Sequence, residues 1–208
     1  MEKTLELIKF DLQFGNLIVG IDEAGRGPLA GPVVAAAVIM PLDKPIKGIN
    51  DSKKLTKKQR AILFKEIIRN AITVKATVIS NKIIDEINIL RASLLAMEKS
   101  LKKITLNYDK VLIDGNKSFE NNPSIQTIIK GDAKSYNIAC ASIVAKVVRD
   151  KIMQHYSKKF PAYQWDKNKG YPTKMHRELI KQYGISNLHR ISFLNNILQG
   201  ELFDEIPE

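Results

Sequence analysis

The chain has 208 residues, with 33 Lys and Arg against 22 Asp and Glu, a net charge of +11. Its 44% hydrophobic and 26% charged content exclude a disordered or fibrous chain, and the length suits one full-sized domain with its own core. No apolar run approaches the ~20 residues that span a bilayer. The N-terminal stretch lacks a secretory-signal pattern, and the single Cys140 cannot form an internal disulfide, so a reducing cytoplasm is the expected setting.

Residues 1–16 read as a lead-in, one short amphipathic helix. Leu17 to Ile21 is a continuous apolar run, as in a buried strand. Glycines and prolines from Gly25 to Pro32 interrupt it, and Val33 to Met40 predicts a second strand. Thr56 to Gln59 is a capping box opening a helix to about Asn70. The β-branched stretch Thr73 to Ser80 predicts a third strand. Leu90, Leu94, Met97, Leu101 and Ile104 recur at helical spacing behind an Asn88 cap.

Lys110 to Ile113 predicts a strand ending at Asp114-Gly115, and Ile125 to Ile129 another. Ser135 to about Ser157 predicts a long helix, and Thr173 to Tyr183 a shorter one beyond Gly170-Tyr171-Pro172. No internal repeat or low-complexity linker divides the chain. The reading is a mixed-sheet α/β layer fold, with residues 17–193 as core and 194–208 as a frayed acidic tail.

The charge is concentrated. Lys44 to Lys75 holds ten basic and two acidic residues, and Lys146 to Arg190 eleven and three. Two such tracts suit a polyanion such as nucleic acid, although a lysine-rich solvated surface has the same composition. Lys53 and Lys146 are candidate phosphate contacts or simply solvated lysines.

The sharpest feature is acidic. Asp22-Glu23 directly follows the first apolar strand, Asp114 ends another, and Asp132 follows the Ile128-Ile129 run. Successive strand residues point to opposite faces, so Asp22 and Glu23 share a site only if the strand ends or twists there. Singly, Asp114 reads as a turn residue and Asp132 as a helix-start charge. Together, four carboxylates at neighbouring strand ends call for a hard divalent cation, Mg²⁺ or Mn²⁺. Zinc is not expected, because no Cys/His cluster is near and His155, His176 and His189 lie far apart in sequence. Acidic ligands within a basic protein point to phosphoryl transfer on nucleic acid. Asp150 reads as a structural ion-pair partner about five turns into the long helix, and Cys140, Tyr163 and Trp165 as packing residues.

Several stretches resemble bacterial ribonuclease HII. They are Gly20 to Ile39 (GIDEAGRGPLAGPVVAAAVI), Asp51 to Leu55, Ile84 to Ile89, Leu112 to Asn116, Lys130 to Asp132, Ala141 to Lys146, Lys169 to Thr173 and His189 to Phe193. They occur in the family's order over nearly the whole chain. The resemblance implies a ribonuclease H-like fold, a mixed central sheet flanked by helices with a helical C-terminal part. It implies cleavage of the RNA strand of RNA/DNA hybrids and nicking on the 5′ side of a single ribonucleotide in duplex DNA. It maps the metal carboxylates onto Asp22, Glu23, Asp114 and Asp132, with two Mg²⁺ or Mn²⁺ ions in catalysis. The loop expected to sense the ribose 2′-OH falls on Gly25, Arg26 and Gly27, and the sugar-stacking tyrosine on Tyr171.

The sister enzyme ribonuclease HIII is expected to carry a Gly-Thr-Gly-like loop and an extra N-terminal domain; Gly25-Arg26-Gly27 and the 21 residues before Asp22 favour ribonuclease HII. A non-catalytic basic nucleic-acid-binding protein would explain the charge but not the four carboxylates. The sequence points to a monomer and names no protein partner. The acidic tail is a docking candidate for a sliding clamp, without a convincing clamp-binding motif.

Overall fold

The computed structural model describes residues 2–194. Helix α1 (Glu2–Asp11) leads into a five-stranded sheet built from β1 (Ile18–Ala24), β2 (Val33–Ile39), β3 (Thr73–Ile79), β4 (Lys110–Asp114) and β5 (Ile125–Ile128). The strand order is β3-β2-β1-β4-β5. β1, β2 and β3 pair antiparallel, whereas β1, β4 and β5 run parallel. The mixed sheet and flanking helices are those the resemblance implies.

Pairs of helices cover both faces. α2 (Lys57–Asn70) and α5 (Tyr136–Lys159) pack on the face carrying Ala36 and Val38, and α1 joins them through Leu7 and Ile8. α3 (Asn81–Ile87) and α4 (Ile89–Leu101) cover the face carrying Val19, Ile21, Ala35 and Ala37. The alternation of β2 residues between the two cores follows from the two-residue period of a strand. α2 begins at the expected capping box, with Thr56 and Gln59 bonding each other's backbone N–H.

The structure departs from the sequence reading in several places. β1 does not stop at Ile21 but continues through Asp22 and Glu23 to Ala24, because β2 goes on pairing with it to Ala24↔Val34. α3 is an added helix, capped by Ser80. α4 turns Ala92, Ser93, Ala96, Met97, Ser100 and Leu101 inward, small side chains that let it lie close to the sheet. Leu90 of the expected stripe is exposed and Ile104 lies beyond the helix. Asp150 stands about four turns into α5, not five.

Position on the sheet is set by α5. It crosses β1 over Gly20, where a Cβ would lie 2.1 Å from the Asn137 backbone. Asn137 also accepts the Met40 N–H through Oδ1 (2.7 Å), and its own N–H donates to buried Asp11 (2.9 Å). The Asp11 carboxylate thus sits at the positive end of the α5 dipole. After α5, a turn leads to α6 (Trp165–Asn168) and α7 (Lys174–Tyr183), which pack on Ala30 in the β1–β2 connection and on Met153 of α5. The acidic-tail residues Glu201, Asp204, Glu205 and Glu208 lie outside the described residues.

The Gly20 approach yields the first prediction. Gly20→Ala forces α5 off the sheet, so the variant loses about 1–3 kcal/mol or does not fold. Urea unfolding of variant and wild type measures it.

Candidate active site

β1 and β4 separate at their carboxyl ends. Their pairing ends at Ile21↔Ile113, one residue short of Asp22 and Asp114. Asp22 and Asp114 leave the sheet towards α5, by register with Gly20 and Leu112, whereas Glu23 belongs to the α4 side. Because the sheet opens there, all three still line one cleft of about 260 Å³. Asp132 stands in a short 3-10 turn (Gly131–Ala133) just before α5. That turn is tied to β4, since the Gly131 N–H donates to Asp114 Oδ1 at 2.6 Å.

The charges are held under mutual repulsion. Burial, then Glu23 and Asp114, push the Asp22 carboxyl well above the usual carboxylate range. Burial also raises Glu23, opposed by Arg26 and reinforced by Asp114. Asp132 is raised by burial, Asp114 and Asp51, with Lys53 opposing. Two cations answer these charges: Arg26 at 3.5 Å from Glu23, and Lys53 at 3.5 Å from Asp132. Burial weakens the Lys53 charge, but Asp132, Asp51 and Asp22 outweigh it and raise its pKa.

Among the described residues, no three His, Cys, Asp or Glu side chains close on one point at metal-ligand spacing. Asp22 and Glu23 leave on alternate faces, and Lys53 and Arg26 occupy the space nearest Asp132 and Glu23. The donor chemistry nevertheless fits a hard cation: the carboxylates are oxygen donors, and burial followed by mutual repulsion holds three of them towards protonation.

The expected substrate-reading residues meet in the same cleft. Gly25, Arg26, Gly27, Lys53, Lys146 and Tyr171 all line it. Gly27 faces Tyr171, whose Cε1 would lie 4.0 Å from a Cβ on that glycine. Gly25 has φ +103°, and a Cβ there would strike Arg149, so the loop requires glycine. Lys146 bonds Asp150 at 2.8 Å and lies over the Tyr171 ring, 5.6 Å from its centre. Asp150 is thus an ion-pair partner, as expected.

Sequence reasoning missed Ser52, Arg60 and Ser142 in the cleft, with Ser52 and Ser142 hydroxyls 2.9 Å apart. It also missed two fully buried arginines. Arg190 donates to the carbonyls of Gly25 (2.7 Å), Arg26 (3.0 Å) and Gly31 (2.9 Å). Arg149 donates to those of Pro32, Ala30 and Lys169. Burial and then Arg149 pull Arg190 down to about 9, so it remains a cation at neutral pH. An arginine in a basic tract carries no sequence signal that it is buried. Two of the histidines that are far apart in sequence are adjacent in the fold: the Nε2 atoms of His176 and His189 lie 3.4 Å apart, because α7 and the segment after it fold back on each other.

The fold recurs in solved structures. The ribonuclease H2 of Pyrococcus horikoshii OT3 matches with a TM-score of 0.73 and 26% identity over 91% of this chain and all of that one. A Bst-RNase HIII structure in complex with Mn²⁺ matches at 0.69, over 94% of this chain and 73% of its own, but at 18% identity it shares only the fold. The fold therefore places the chain in the ribonuclease H-like class. A Ribonuclease HII family model matches residues 19–196, and a Ribonuclease HII of Caldicellulosiruptor bescii is 52% identical over 88% of this chain and 89% of that one. The chain belongs to the ribonuclease HII family: it is a metal-dependent ribonuclease, a hydrolase with ribonuclease H activity on RNA/DNA hybrids. Among the described residues, no helix is long and apolar enough to cross a membrane.

The raised Asp22 pKa has a sign that can be checked. The folded protein keeps this proton above pH 3.8, where the unfolded carboxyl has lost it. Stability therefore falls as pH rises from there through the folded value. At about pH 8 without divalent cation, Asp22→Asn melts above the wild type. Mn²⁺ raises the Tm of the wild type and much less that of the variant, as read by thermal melts with Mn²⁺ or EDTA.

Proposed function

We propose that this chain nicks duplex DNA on the 5′ side of a single embedded ribonucleotide, as well as cutting the RNA strand of hybrids, leaving 5′-phosphate and 3′-hydroxyl ends. The observation that carries the reading is the sharing of one cleft by Asp22, Glu23 and Asp114 with the Gly25–Gly27 loop and Tyr171. Asp22, Glu23, Asp114 and Asp132 would hold two ions, Mg²⁺ or Mn²⁺. Held by these carboxylates, such ions would supply activation of a water and stabilisation of the leaving 3′ oxygen.

The chain's own residues select the substrate. The 2′-OH is the group that marks a ribonucleotide among deoxynucleotides. The Gly25-Arg26-Gly27 backbone, without Cβ atoms at two of three positions, lets its polar groups approach that hydroxyl. Tyr171, beside Gly27, stacks on the next sugar and tests its pucker. Lys53 and Lys146 contact phosphates near the scissile bond, shifting from their present carboxylate partners. Gly-Arg-Gly here, against the Gly-Thr-Gly-like loop of ribonuclease HIII, favours the ribonuclease HII specificity. The enzyme acts as a monomeric catalytic domain in the cytoplasm.

A basic trough continues from the cleft between α2 and α5. Arg60 borders both, and Lys57, Lys151, Gln154 and Lys158 line the trough further out. Flanking duplex phosphates would lie along it.

The deciding assay is cleavage of a labelled DNA duplex carrying one ribonucleotide, with Mg²⁺, Mn²⁺ or EDTA. The wild type nicks 5′ of the ribonucleotide only with metal. Asp114→Asn loses more than about 100-fold, the upper end of what outer-shell changes cost at metal sites. Cleavage of hybrids alone would refute the roles of the loop and Tyr171; metal-independent binding without cleavage would point to the non-catalytic reading. Separately, replacing Lys57, Lys151 and Lys158 by Ala weakens duplex binding and flattens the slope of log K against log salt by about 2–3. Binding titrations at several salt concentrations measure that slope.

A further inference from the structure

Behind Tyr171 lies a buried polar chain that none of the roles above uses. The Tyr171 carbonyl accepts a hydrogen bond from His176 Nδ1 at 3.0 Å. His176 Nε2 accepts from Trp165 Nε1 at 3.0 Å and faces His189 Nε2 at 3.4 Å. His189 Nδ1 in turn accepts from the Ser186 N–H at 2.9 Å.

These contacts fix both tautomers. Trp165 can only donate, so His176 Nε2 is an acceptor and its proton sits on Nδ1, aimed at the Tyr171 carbonyl. The Ser186 N–H can only donate, so the His189 proton sits on Nε2, aimed at His176. Both imidazoles are buried, and among the described residues no carboxylate bonds to either. Burial lowers both, and with His176 beside it His189 falls to about 4, so the pair is neutral at neutral pH.

The chain is anchored at both ends. Asn81 Nδ2 donates to the His189 carbonyl at 3.0 Å, and the His189 backbone bridges Ala30, behind the Gly25–Gly27 loop. At the other end Gly170 leaves no room for a side chain: a Cβ would lie 2.6 Å from the Ala30 carbonyl oxygen. The Tyr171 backbone is held from behind while its ring, about a third exposed, faces the cleft.

We propose that His176, oriented by Trp165 and His189, is a positioning residue for Tyr171 and so sets the enzyme's preference for an RNA–DNA junction over a uniform hybrid. The inference rests on the sugar-stacking role proposed for Tyr171. Displacement of a stacking ring by about 1 Å is enough to cost up to about 100-fold. The cost falls on the substrate whose second sugar is deoxyribose, the one the ring is placed to recognise. A merely structural histidine lowers activity on both substrates in proportion.

The test compares kcat/KM on junction-bearing DNA with that on an RNA/DNA hybrid. His176→Phe fills the space without donating to Tyr171, and His176→Asn returns an amide donor near the Nδ1 position. The expected result is a junction-to-hybrid ratio lowered at least about tenfold by Phe and restored to within about threefold by Asn. His176→Leu carries the same test if the Phe ring is not accommodated. An unchanged ratio in a folded variant, or a proportional loss on both substrates, overturns the proposal. So does unfolding of all three variants, which would make His176 structural only. A wild type that cuts hybrids but not junctions refutes the Tyr171 role itself, and this is seen before any substitution is made.

Discussion

The close approach of α5 to β1 at Gly20 is the constraint on which the site depends. Only a residue without a side chain lets the helix backbone rest on the strand, and this sets the height of α5 above the sheet. Ser142 and Lys146 then reach the cleft from α5, and Asp132, in the turn before the helix, meets its edge through Lys53. The Asn137 bonds to Met40 and Asp11 fix the same helix along its axis. A displacement of α5 would carry Ser142 and Lys146 away from Asp22 and Asp114, and Arg149 away from the Ala30 and Pro32 carbonyls that it holds.

The cleft itself is an electrostatic compromise. A parallel pair of strands brings Asp22 and Asp114 to the same end of the sheet, and the separation of β1 from β4 beyond Ile21 makes room for them. Desolvation and repulsion raise the proton affinity of Asp22, Glu23 and Asp132. Lys53 and Arg26 relieve part of that repulsion from the exposed side. Such a site is less stable folded than its neutral equivalent, and a cation bound by the folded state alone offsets the difference. Stability is thus given up where function needs concentrated charge.

Opposite logic governs the other wall. Arg149 and Arg190 are buried cations whose bonds run to backbone carbonyls, a use suited to the planar guanidinium with its five donors. One guanidinium gathers Gly25, Arg26 and Gly31, and the other gathers Pro32, Ala30 and Lys169. Loops that cannot form a ladder are given fixed hydrogen-bond partners, and with the histidine pair the two sides of the substrate-reading surface become one rigid unit.

Much of this was legible in the chain. The strands followed from apolar runs, α2 from its capping box, and the mixed layer fold from their alternation, because these depend on neighbours within a few residues. The carboxylates stood out because strand ends are no usual place for four acidic groups, and the glycine loop because its spacing matches a family. Other features were not legible. Whether β1 ends at Ile21 or runs to Ala24 is decided by β2, not by β1. That Leu90 faces water while Ala92 and Ala96 face the sheet depends on how closely α4 packs. Arg149 and Arg190 look like members of a basic tract, and His176 and His189 are thirteen residues apart, with the rest of α7 between them. The sequence by itself determined the five strands, the helices α2, α4, α5 and α7, the family and the acidic residues, since local periodicity and motif spacing are properties of the chain. Only the tertiary structure decided which charges are buried, which histidines touch and how the cleft is walled, since burial and contact are set by residues distant in sequence.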